Sequence, residues 1–322
     1  MKKKKYLVTG ASGFIGSAIV SSLIKAKQEV ICIDNNSRGK KSRLLKFKKK
    51  IKFHKIDIRD KAKIIKVSKG VDAIIHLAFI NGTKFFYEKP DQVLDVGIKG
   101  MLNVIDACKE NDIKEIFVAS SSEVYQSPKK IPTPEDVELI VPDVFNPRYS
   151  YGAGKLISEV IAINNKKFFK KVVIFRPHNV YGPDMGLEHV IPQLTNKIIN
   201  KIQKSGKSKM INIDLIGNGK EKRAFNYIDD FCDAFMRILS KGSKFQIYNI
   251  GTNEETNIKK LASMIGKYFG VKLNLNFIDG HKGGTKRRCP NISKIKKLGY
   301  KPQIPLETGL NKTINWYFKK LI

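Results

Sequence analysis

Tyr151 and Lys155 stand four residues apart in the segment Ser150-Tyr-Gly-Ala-Gly-Lys155. On a helix, positions i and i+4 share a face, so a lysine ammonium can lie beside a phenol and favour its ionised form. A phenol, with an ordinary pKa of about 10, could then act as a base at neutral pH. The same spacing arises by chance in a lysine-rich chain, where it marks an ordinary half-exposed helix, so the pair needs support from elsewhere in the sequence.

A glycine-rich turn near the N-terminus gives that support. Residues 5–9 have the pattern of a buried strand, Gly10, Gly13 and Gly16 that of a tight turn, and residues 17–27 that of a helix. In this order the glycines let the backbone approach a pyrophosphate closely, and free N–H groups at the helix start point at the anion. The alternative is a glycine-rich turn in an unrelated α/β protein.

The second predicted strand ends in Asp34, 18 residues after Gly16. A carboxylate at this place accepts hydrogen bonds from an adenosine ribose and repels a 2′-phosphate, so it predicts NAD rather than NADP, although Arg38 and Lys40 follow closely. The expected cofactor-binding residues are Gly10, Gly13, Phe14, Ile15, Gly16, Asp34, Asn35, Asp57, Ile58, Leu77, Ala78, Tyr151, Lys155 and Pro177.

Strands alternate with helices along the chain, which is the pattern of an α/β protein with a parallel, doubly wound sheet. The third to sixth strands are expected at 52–56, 72–76, 116–119 and 172–175. Ligands bind at the carboxyl edge of such a sheet, and the fifth strand delivers the segment 120–125 to that edge. Chemistry is therefore expected there.

After residue 184 the pattern loosens into helices and short strands, which fits a smaller substrate-binding lobe over the cleft. We expect an NAD-binding Rossmann domain over 1–183 and a C-terminal substrate-binding lobe over 184–322, with the chain partly returning to the first domain near 217–250. The segments 184–230 and 273–290 are expected to shape the substrate pocket.

The formal net charge is +32, with 61 lysines and arginines against 29 acidic residues, which raises the question of nucleic-acid binding. The lysines are spread along the whole chain, and no nucleic-acid module or interleaved aromatic pattern accompanies them. We therefore expect no specific nucleic-acid partner. The charge should instead raise the local concentration of an anionic substrate.

Targeting and metal signals are also missing from the sequence. No apolar run approaches the ~20 residues of a membrane span, and the basic N-terminus lacks a signal-peptide cleavage site. The cysteines at 32, 108, 232 and 289 have no metal-like spacing. We expect a cytoplasmic protein with reduced thiols, no metal and no membrane association.

Taken together, the motifs resemble the NAD-dependent epimerase/dehydratase family, the extended short-chain dehydrogenase/reductases that modify nucleotide sugars. The likeness runs nearly end to end. The matching segments are Gly10-x-x-Gly13-x-x-Gly16, Asp34-Asn-x-Ser-Arg-Gly39, Asp57-Ile58, His76-Leu-Ala78, Ser120-Ser-Ser, Tyr151-x-x-x-Lys155, Arg176-Pro-x-Asn179-Val-Tyr-Gly-Pro183, Gly217-Asn-Gly-x-x-x-Arg223-x-Phe-x-Tyr-Ile-Asp-Asp230 and Arg287-Arg288-x-Pro-Asn-Ile-Ser293. Two positions depart from the family pattern: Phe79 stands where the family usually has a small residue, and Gly97 where it usually has an asparagine.

The resemblance implies roles for individual residues. Tyr151 would take the proton of a sugar hydroxyl, most often at C4, while that carbon gives hydride to NAD. Ser121 matches the family's catalytic Ser/Thr and would hydrogen-bond the same oxygen, and Lys155 would also hold the nicotinamide ribose. Contacts with a nucleotide-diphosphate sugar are implied for Ser121, Ser122, Asn179, Arg223 and Arg288, the two arginines suiting a diphosphate. The resemblance also implies a homodimer, formed through the helices near 90–111 and 149–168.

The fate of the keto intermediate depends on Ser122 and Glu123. Dehydratases of this family typically carry Thr-Asp-Glu where this chain has Ser121-Ser-Glu123, so the acid for the C6 hydroxyl is missing, although Glu123 could take a C5 proton. Ser-Ser-Glu with a later arginine also resembles the nucleotide-sugar decarboxylases. C4 epimerisation needs only Ser121, Tyr151 and Lys155 and is the reaction we favour. A decarboxylase or dehydratase using Glu123 is the alternative, and a noncatalytic NAD- or RNA-binding relative is a distant one.

Overall fold

The computed structural model describes residues 2–205, 209–279 and 283–321. Residues 206–208 and 280–282 belong to the two segments expected to shape the substrate pocket, and they lie outside the described residues.

Among the described residues, seven strands form one parallel sheet in the order β11-β6-β5-β4-β1-β2-β3. The strands of this sheet are β1 (Lys5–Thr9), β2 (Glu29–Asp34), β3 (Ile51–Lys55), β4 (Ala73–His76), β5 (Glu115–Ala119), β6 (Lys171–Pro177) and β11 (Gln246–Ile250). The direction of strand addition reverses between β1 and β4, and parallel sheets of this kind bind ligands where it reverses. The expected α/β Rossmann fold is confirmed.

Helices cover both faces of the sheet. They are α1 (Phe14–Lys25), α2 (Lys61–Val67), α3 (Thr83–Glu88), α4 (Pro90–Glu110), α5 (Ser150–Asn164), α6 (Val190–Ser205), α7 (Ile228–Lys241), α8 (Ile258–Tyr268), α9 (Ser293–Lys296) and α10 (Leu306–Leu321). Neighbouring strand residues point to opposite faces, so Leu7 packs with α2, α4 and α5, whereas Val8 packs with α1 and α7. The strands therefore consist almost wholly of apolar residues, as a doubly covered sheet requires.

The part of the chain after residue 183 contributes to both regions. Strand β11 pairs with β6, and α7 packs on α1, so this stretch completes the sheet. Its remaining strands are β8 (Met210–Ile216), β9 (Lys222–Ala224), β10 (Asn226–Tyr227), β12 (Glu255–Asn257), β13 (Lys272–Ile278) and β14 (Arg287–Arg288), which form the smaller lobe. Strand β7 (Val180–Tyr181), just before this stretch, pairs with β10. Strands β8 and β13 pair in parallel, and β9 lies between β12 and β14. The lobe lies beside the carboxyl edge, where Arg288 reaches Glu123 just after β5.

The proline-rich segment 126–148 is partly buried against the lobe. Thr133 is buried and pairs with the backbone of Cys289 and Asn291, and the Glu135 carbonyl accepts a hydrogen bond from Arg176. The segment thus ties the sheet to the lobe. Within the described residues, no helix has the length and apolar character needed to cross a membrane.

Candidate active site

The glycine turn after β1 is built by close backbone approaches. Gly10 has φ +67°, and a Cβ there would lie 2.9 Å from the backbone nitrogen of Ala78. A Cβ on Gly16 would lie only 2.1 Å from the Gly10 carbonyl oxygen. Gly13 caps α1 without a side-chain hydrogen bond, so the first-turn N–H groups stay available to an anion. The turn therefore fits the pyrophosphate of NAD.

Asp34 holds the loop that follows β2. Its carboxylate accepts hydrogen bonds from the backbone N–H of Ser12 at 3.0 Å and of Asn36 at 2.8 Å. The Asn35 side chain donates to Asp57 at 3.0 Å. The acidic and amide groups expected at the adenosine end of the cofactor therefore form one connected set.

Ser121, Tyr151 and Lys155 come together although they belong to two elements. Ser121 follows β5 and accepts a hydrogen bond from the Glu123 N–H at 3.1 Å, which fixes its side chain. The Ser121 hydroxyl lies near the Tyr151 phenol and lowers the pKa of that phenol, against the larger effect of burial. Lys155 lies one turn further along α5 and donates to the Ala119 carbonyl oxygen at 2.6 Å. The three residues expected to remove a hydroxyl proton therefore share one end of the cleft.

Aromatic rings surround the Tyr151 and Lys155 side chains. The Phe86 ring stacks on Tyr151 with centroids 4.8 Å apart, and the Phe79 ring meets Tyr151 edge-on at 5.2 Å. Lys155 Nζ lies 4.2 Å from the centre of the Phe79 ring. We call Phe79, Phe86, Tyr151 and Lys155 the aromatic side of the cleft.

Burial dominates the protonation of this side. It raises the pKa of the Tyr151 phenol above its usual range, against the opposite effect of the Ser121 hydrogen bond. It also lowers the pKa of Lys155 to about 7. Desolvation penalises the charged forms of both groups, so the ionisation of Tyr151 with help from Lys155 and the nicotinamide stays a prediction.

Glu123 lies in an ion-paired cluster. Its carboxylate accepts a hydrogen bond from Arg288 at 2.8 Å and lies 3.7 Å from Arg148. Burial would raise the pKa of the Glu123 carboxyl, but the two guanidinium charges and the Arg288 hydrogen bond outweigh burial and hold this pKa below its usual range. The Glu123 carboxylate is therefore charged and already paired. We call Glu123, Arg148 and Arg288 the ionic side of the cleft.

The other expected substrate residues occupy different positions. Ser122 and Asn179 line the cleft, and the Asn179 amide donates to the Ala224 carbonyl oxygen at 3.3 Å. Arg223 lies beside Arg288 on the neighbouring strand, and its guanidinium donates to backbone carbonyl oxygens, among them that of Thr285 at 2.6 Å. Arg223 is therefore near the ionic side but is not part of the cleft lining.

A buried polar network supports α5 from behind. Arg176 on β6 forms a two-pronged ion pair with Glu159 at 2.8 and 2.6 Å, and it also donates to the Tyr125 hydroxyl at 2.7 Å. Glu159 lies one helical turn after Lys155, so this ion pair fixes the helix that carries the reactive lysine. His76 and His178 are buried, and burial lowers the pKa of each to about 3, so both are neutral.

These elements border a cleft of about 460 Å³. Every expected cofactor residue lines it except Asp57, which lies beside it through the hydrogen bond with Asn35. A larger, shallow groove of about 1090 Å³ follows the edge strand β3, but lysines line much of it and none of the expected site residues borders it. Lysines commonly protect an exposed sheet edge, so we place the active site in the smaller cleft.

Sequence reasoning missed the residues that join the two regions across the cleft. Arg38 pairs with Glu188 at 3.1 Å, and Arg43 pairs with Asp184 at 2.8 Å. Arg38 also stacks on Phe85, 4.4 Å from the ring centre. Its position after Asp34 was visible in the sequence, but its partner 150 residues away was not.

Comparison with known proteins identifies the family of this chain. The family model described as "NAD dependent epimerase/dehydratase family" matches residues 6–251. A putative UDP-glucose 4-epimerase of Methanocaldococcus jannaschii is 31% identical over 316 residues, covering 96% of this chain and 97% of that protein. A UDP-N-acetyl-alpha-D-glucosaminuronate decarboxylase of Bacillus cytotoxicus is 28% identical, covering 98% of each chain.

Solved structures agree with these relatives. The dTDP-glucose 4,6-dehydratase of Streptomyces venezuelae, solved with NAD bound, superposes with a TM-score of 0.87 at 25% identity, covering 98% of this chain and 97% of that one. The matched family uses NAD, and the turn and loop described above fit that cofactor. The protein is an NAD-dependent enzyme, and the chain belongs to the NAD-dependent epimerase/dehydratase family.

Proposed function

We propose that the protein epimerises a nucleotide-diphosphate sugar at C4 through a transient 4-keto intermediate. The observation that carries this proposal is the state of Glu123, whose carboxylate is ionised and paired with Arg288 and Arg148. An ionised carboxylate cannot donate a proton, and its lowered pKa makes it a weak base. Epimerisation needs the fewest groups of the reactions considered, because Ser121, Tyr151 and Lys155 suffice for it.

The oxidation step follows from the aromatic side of the cleft. When bound, NAD supplies the acceptor, and later the donor, of the C4 hydride. Tyr151 accepts the C4 hydroxyl proton, and Ser121 hydrogen-bonds the same oxygen. The positive charges of Lys155 and of the nicotinamide would together lower the pKa of the phenol and offset the effect of burial. The hydrogen bond to the Ala119 carbonyl oxygen holds the Lys155 side chain on the same side of the cleft as Tyr151.

The second half of the reaction returns the proton to the oxygen from which it came. Between the halves the keto-sugar must turn to present its other face. Asn179, Arg223 and Arg288 are the proposed sugar and diphosphate contacts, and Ser122 is a further one. A diphosphate oxygen suits Arg288 because its Nε has no partner among the described residues, and Arg223 adds a positive charge beside it.

Decarboxylation of a nucleotide-linked uronic acid is the second candidate. Arg288 Nε is buried and has no hydrogen-bond partner among the described residues, so the guanidinium can receive one more acceptor. A C6 carboxylate would satisfy it, and so would a diphosphate oxygen. A 4-keto uronic acid loses CO₂ with little further catalysis, which keeps this candidate open.

Product identification tests the proposal. The purified protein would be incubated with UDP-glucose, UDP-glucuronate and their N-acetyl, dTDP and GDP analogues, and the products would be assigned by NMR and mass spectrometry. The expected product has unchanged mass and inverted C4 stereochemistry. A product lighter by CO₂ or by water would overturn epimerisation in favour of decarboxylation or dehydration.

A homodimer through α4 and α5 is also proposed. Leu102 on α4, and Ile157 and Val160 on α5, leave 46%, 37% and 51% of their surface exposed. Apolar side chains grouped on two packed helices fit a second copy of the chain. Light scattering should give twice the 36.5 kDa chain mass, and Val160→Lys should reduce it to the monomer value.

A further inference from the structure

Phe79 has contacts that the catalytic assignment does not explain. Its ring lies between α4 and α5, against Tyr151 at 5.2 Å and against Lys155 Nζ at 4.2 Å. Lys155 is 3% exposed, and beyond Phe79 its nitrogen contacts the Ala119 carbonyl oxygen. The ring is therefore part of the wall that separates this ammonium from solvent.

Two glycines make room for the ring. A Cβ on Gly97 of α4 would lie 2.1 Å from Phe79 Cζ, and a Cβ on Gly154 of α5 would lie 2.9 Å from the same atom. A side chain at position 97 and the Phe79 ring cannot occupy this space together. The two positions at which this chain departs from the pattern implied by the resemblance, Phe79 and Gly97, therefore share one space beside Lys155.

The groups that face Lys155 come from α5, β4, β5 and the loop after β4. On α5, the Glu159 carboxylate forms an ion pair with Arg176 of β6, and on β4 the imidazole of His76 is neutral. On β5 the carbonyl of Ala119 accepts the ammonium hydrogen bond, and from the loop after β4 comes the apolar ring of Phe79. Burial therefore lowers the pKa of Lys155 to about 7, and the charge of Glu159 offsets this effect only in part.

We propose that Phe79 is a positioning residue for the proton-transfer pair: its ring holds the Lys155 side chain against Ala119 and closes the space between α4 and α5 to water. The role rests on the proposed oxidation of a sugar hydroxyl at Tyr151. A closed wall suits a reaction that returns its proton to the same oxygen, because no proton needs to leave the site during a turnover.

The direct test measures Lys155 itself and needs no substrate. Trace acetylation with acetic anhydride across a pH series, read by mass spectrometry on the Lys155 peptide, would give the reactivity and titration midpoint of this one lysine at equal NAD content. In Phe79→Ala we expect acetylation above the midpoint to be about 10-fold faster, because the reagent reaches the free amine, and the midpoint to rise by about one pH unit or more, because water solvates the ammonium. Unchanged reactivity and midpoint would overturn the proposal.

A double-mutant cycle separates positioning from general damage. We expect Phe79→Ala to lower kcat about 10-fold with KM nearly unchanged, and Gly97→Asn to lower it at least as much because the amide collides with the ring. The Phe79→Ala/Gly97→Asn double variant should recover much of the activity lost in Gly97→Asn. Additive losses would contradict a shared space. If Phe79→Ala fails to fold, Phe79→Leu and the double variant carry the same comparison.

A matched control exists in Phe168, whose ring lies 3.7 Å from Lys114 Nζ and does not border the cleft. Phe168→Ala removes an equivalent ring–ammonium contact and should leave kcat and Lys155 acetylation unchanged. The proposals can also fail separately. Altered Lys155 acetylation without any C4 epimer would overturn the reaction alone, whereas epimerisation with unaltered acetylation would overturn the role of Phe79 alone.

Discussion

The aromatic side and the ionic side of the cleft both bury ionisable groups, but they set the charge of those groups by opposite means. On the aromatic side, desolvation lowers the pKa of Lys155 to about 7 and raises that of Tyr151. On the ionic side, Arg288 and Arg148 keep Glu123 ionised in spite of its burial. A group held near its neutral form can exchange a proton during a reaction, whereas a paired carboxylate resists a change of charge. We therefore propose that proton transfer takes place on the aromatic side.

The strongest way to break this comparison is Tyr151→Phe. The variant keeps the stacking with Phe86 but loses the proton acceptor, so we expect product formation to fall by about 10³-fold or more. NAD content, read from the absorbance of the denatured protein's supernatant, should stay unchanged. Retained turnover would place the proton acceptor elsewhere.

The support behind α5 can be compared with an exposed ion pair. Arg176 and Glu159 side chains are 2% and 6% exposed, whereas Arg287 is 46% exposed beside Glu255. We expect Arg176→Met to lower the free energy of unfolding by about 3–5 kcal/mol, because it leaves a buried carboxylate unpaired. Arg287→Met serves as the control and should cost at most about 1 kcal/mol. Equal losses of unfolding free energy in the two variants, measured by urea denaturation, would show that the buried network does not fix the helix.

Arg288→Met should change the ionic side selectively. Without this guanidinium, burial raises the pKa of the Glu123 carboxyl, and we expect KM to rise about 10-fold with a smaller change in kcat. The ion pair stabilises the native protein fully above the ordinary carboxyl pKa of 4.5, and this contribution is lost as pH falls through the lowered pKa of Glu123. The difference in unfolding free energy between wild type and variant should therefore shrink towards acid pH. A difference independent of pH would mean that Arg288 stabilises the protein without this pair.

Glu123→Gln has the smallest expected effect and tests whether the ionic side takes part in proton transfer. Glutamine retains an acceptor for Arg288 but cannot act as an acid or base, so we expect kcat within about 5-fold of wild type. Ser121→Ala, two residues earlier in the same segment, is the control that should lose far more. A loss of 10²–10⁴-fold in Glu123→Gln, of the size found for general acids and bases, would assign Glu123 to the chemistry.

Local patterns predicted most of the fold. The first strand and the glycine turn follow from hydrophobic periodicity and from glycines that leave no room for a Cβ, whereas α1 begins at Phe14 rather than at residue 17 and contains Gly16. The expected strands agree with the structure to within two residues, as at 52–56 against Ile51–Lys55. Parallel strands share a carboxyl edge, so the meeting of Ser121 with Tyr151 was also within reach of sequence reasoning.

Long-range pairing and desolvation were out of reach. Glu123 and Arg288 are 165 residues apart, and nothing in either segment shows that they form an ion pair. The spacing of Tyr151 and Lys155 predicts their neighbourhood correctly but not the effect of the rings around them. The rings desolvate both groups, and the Phe79 ring does so from the space above Gly97. This arrangement is a property of tertiary packing.

The fate of the C5 proton tests the central claim most directly. The nucleotide sugar that the protein converts would be incubated in D₂O, and the product would be followed by proton NMR until equilibrium. If proton transfer is confined to Tyr151, the C4 epimer forms with its original C5 proton and without loss of CO₂ or water. Deuterium at C5, with or without such a loss, would show that a second group such as Glu123 takes part and would contradict the account.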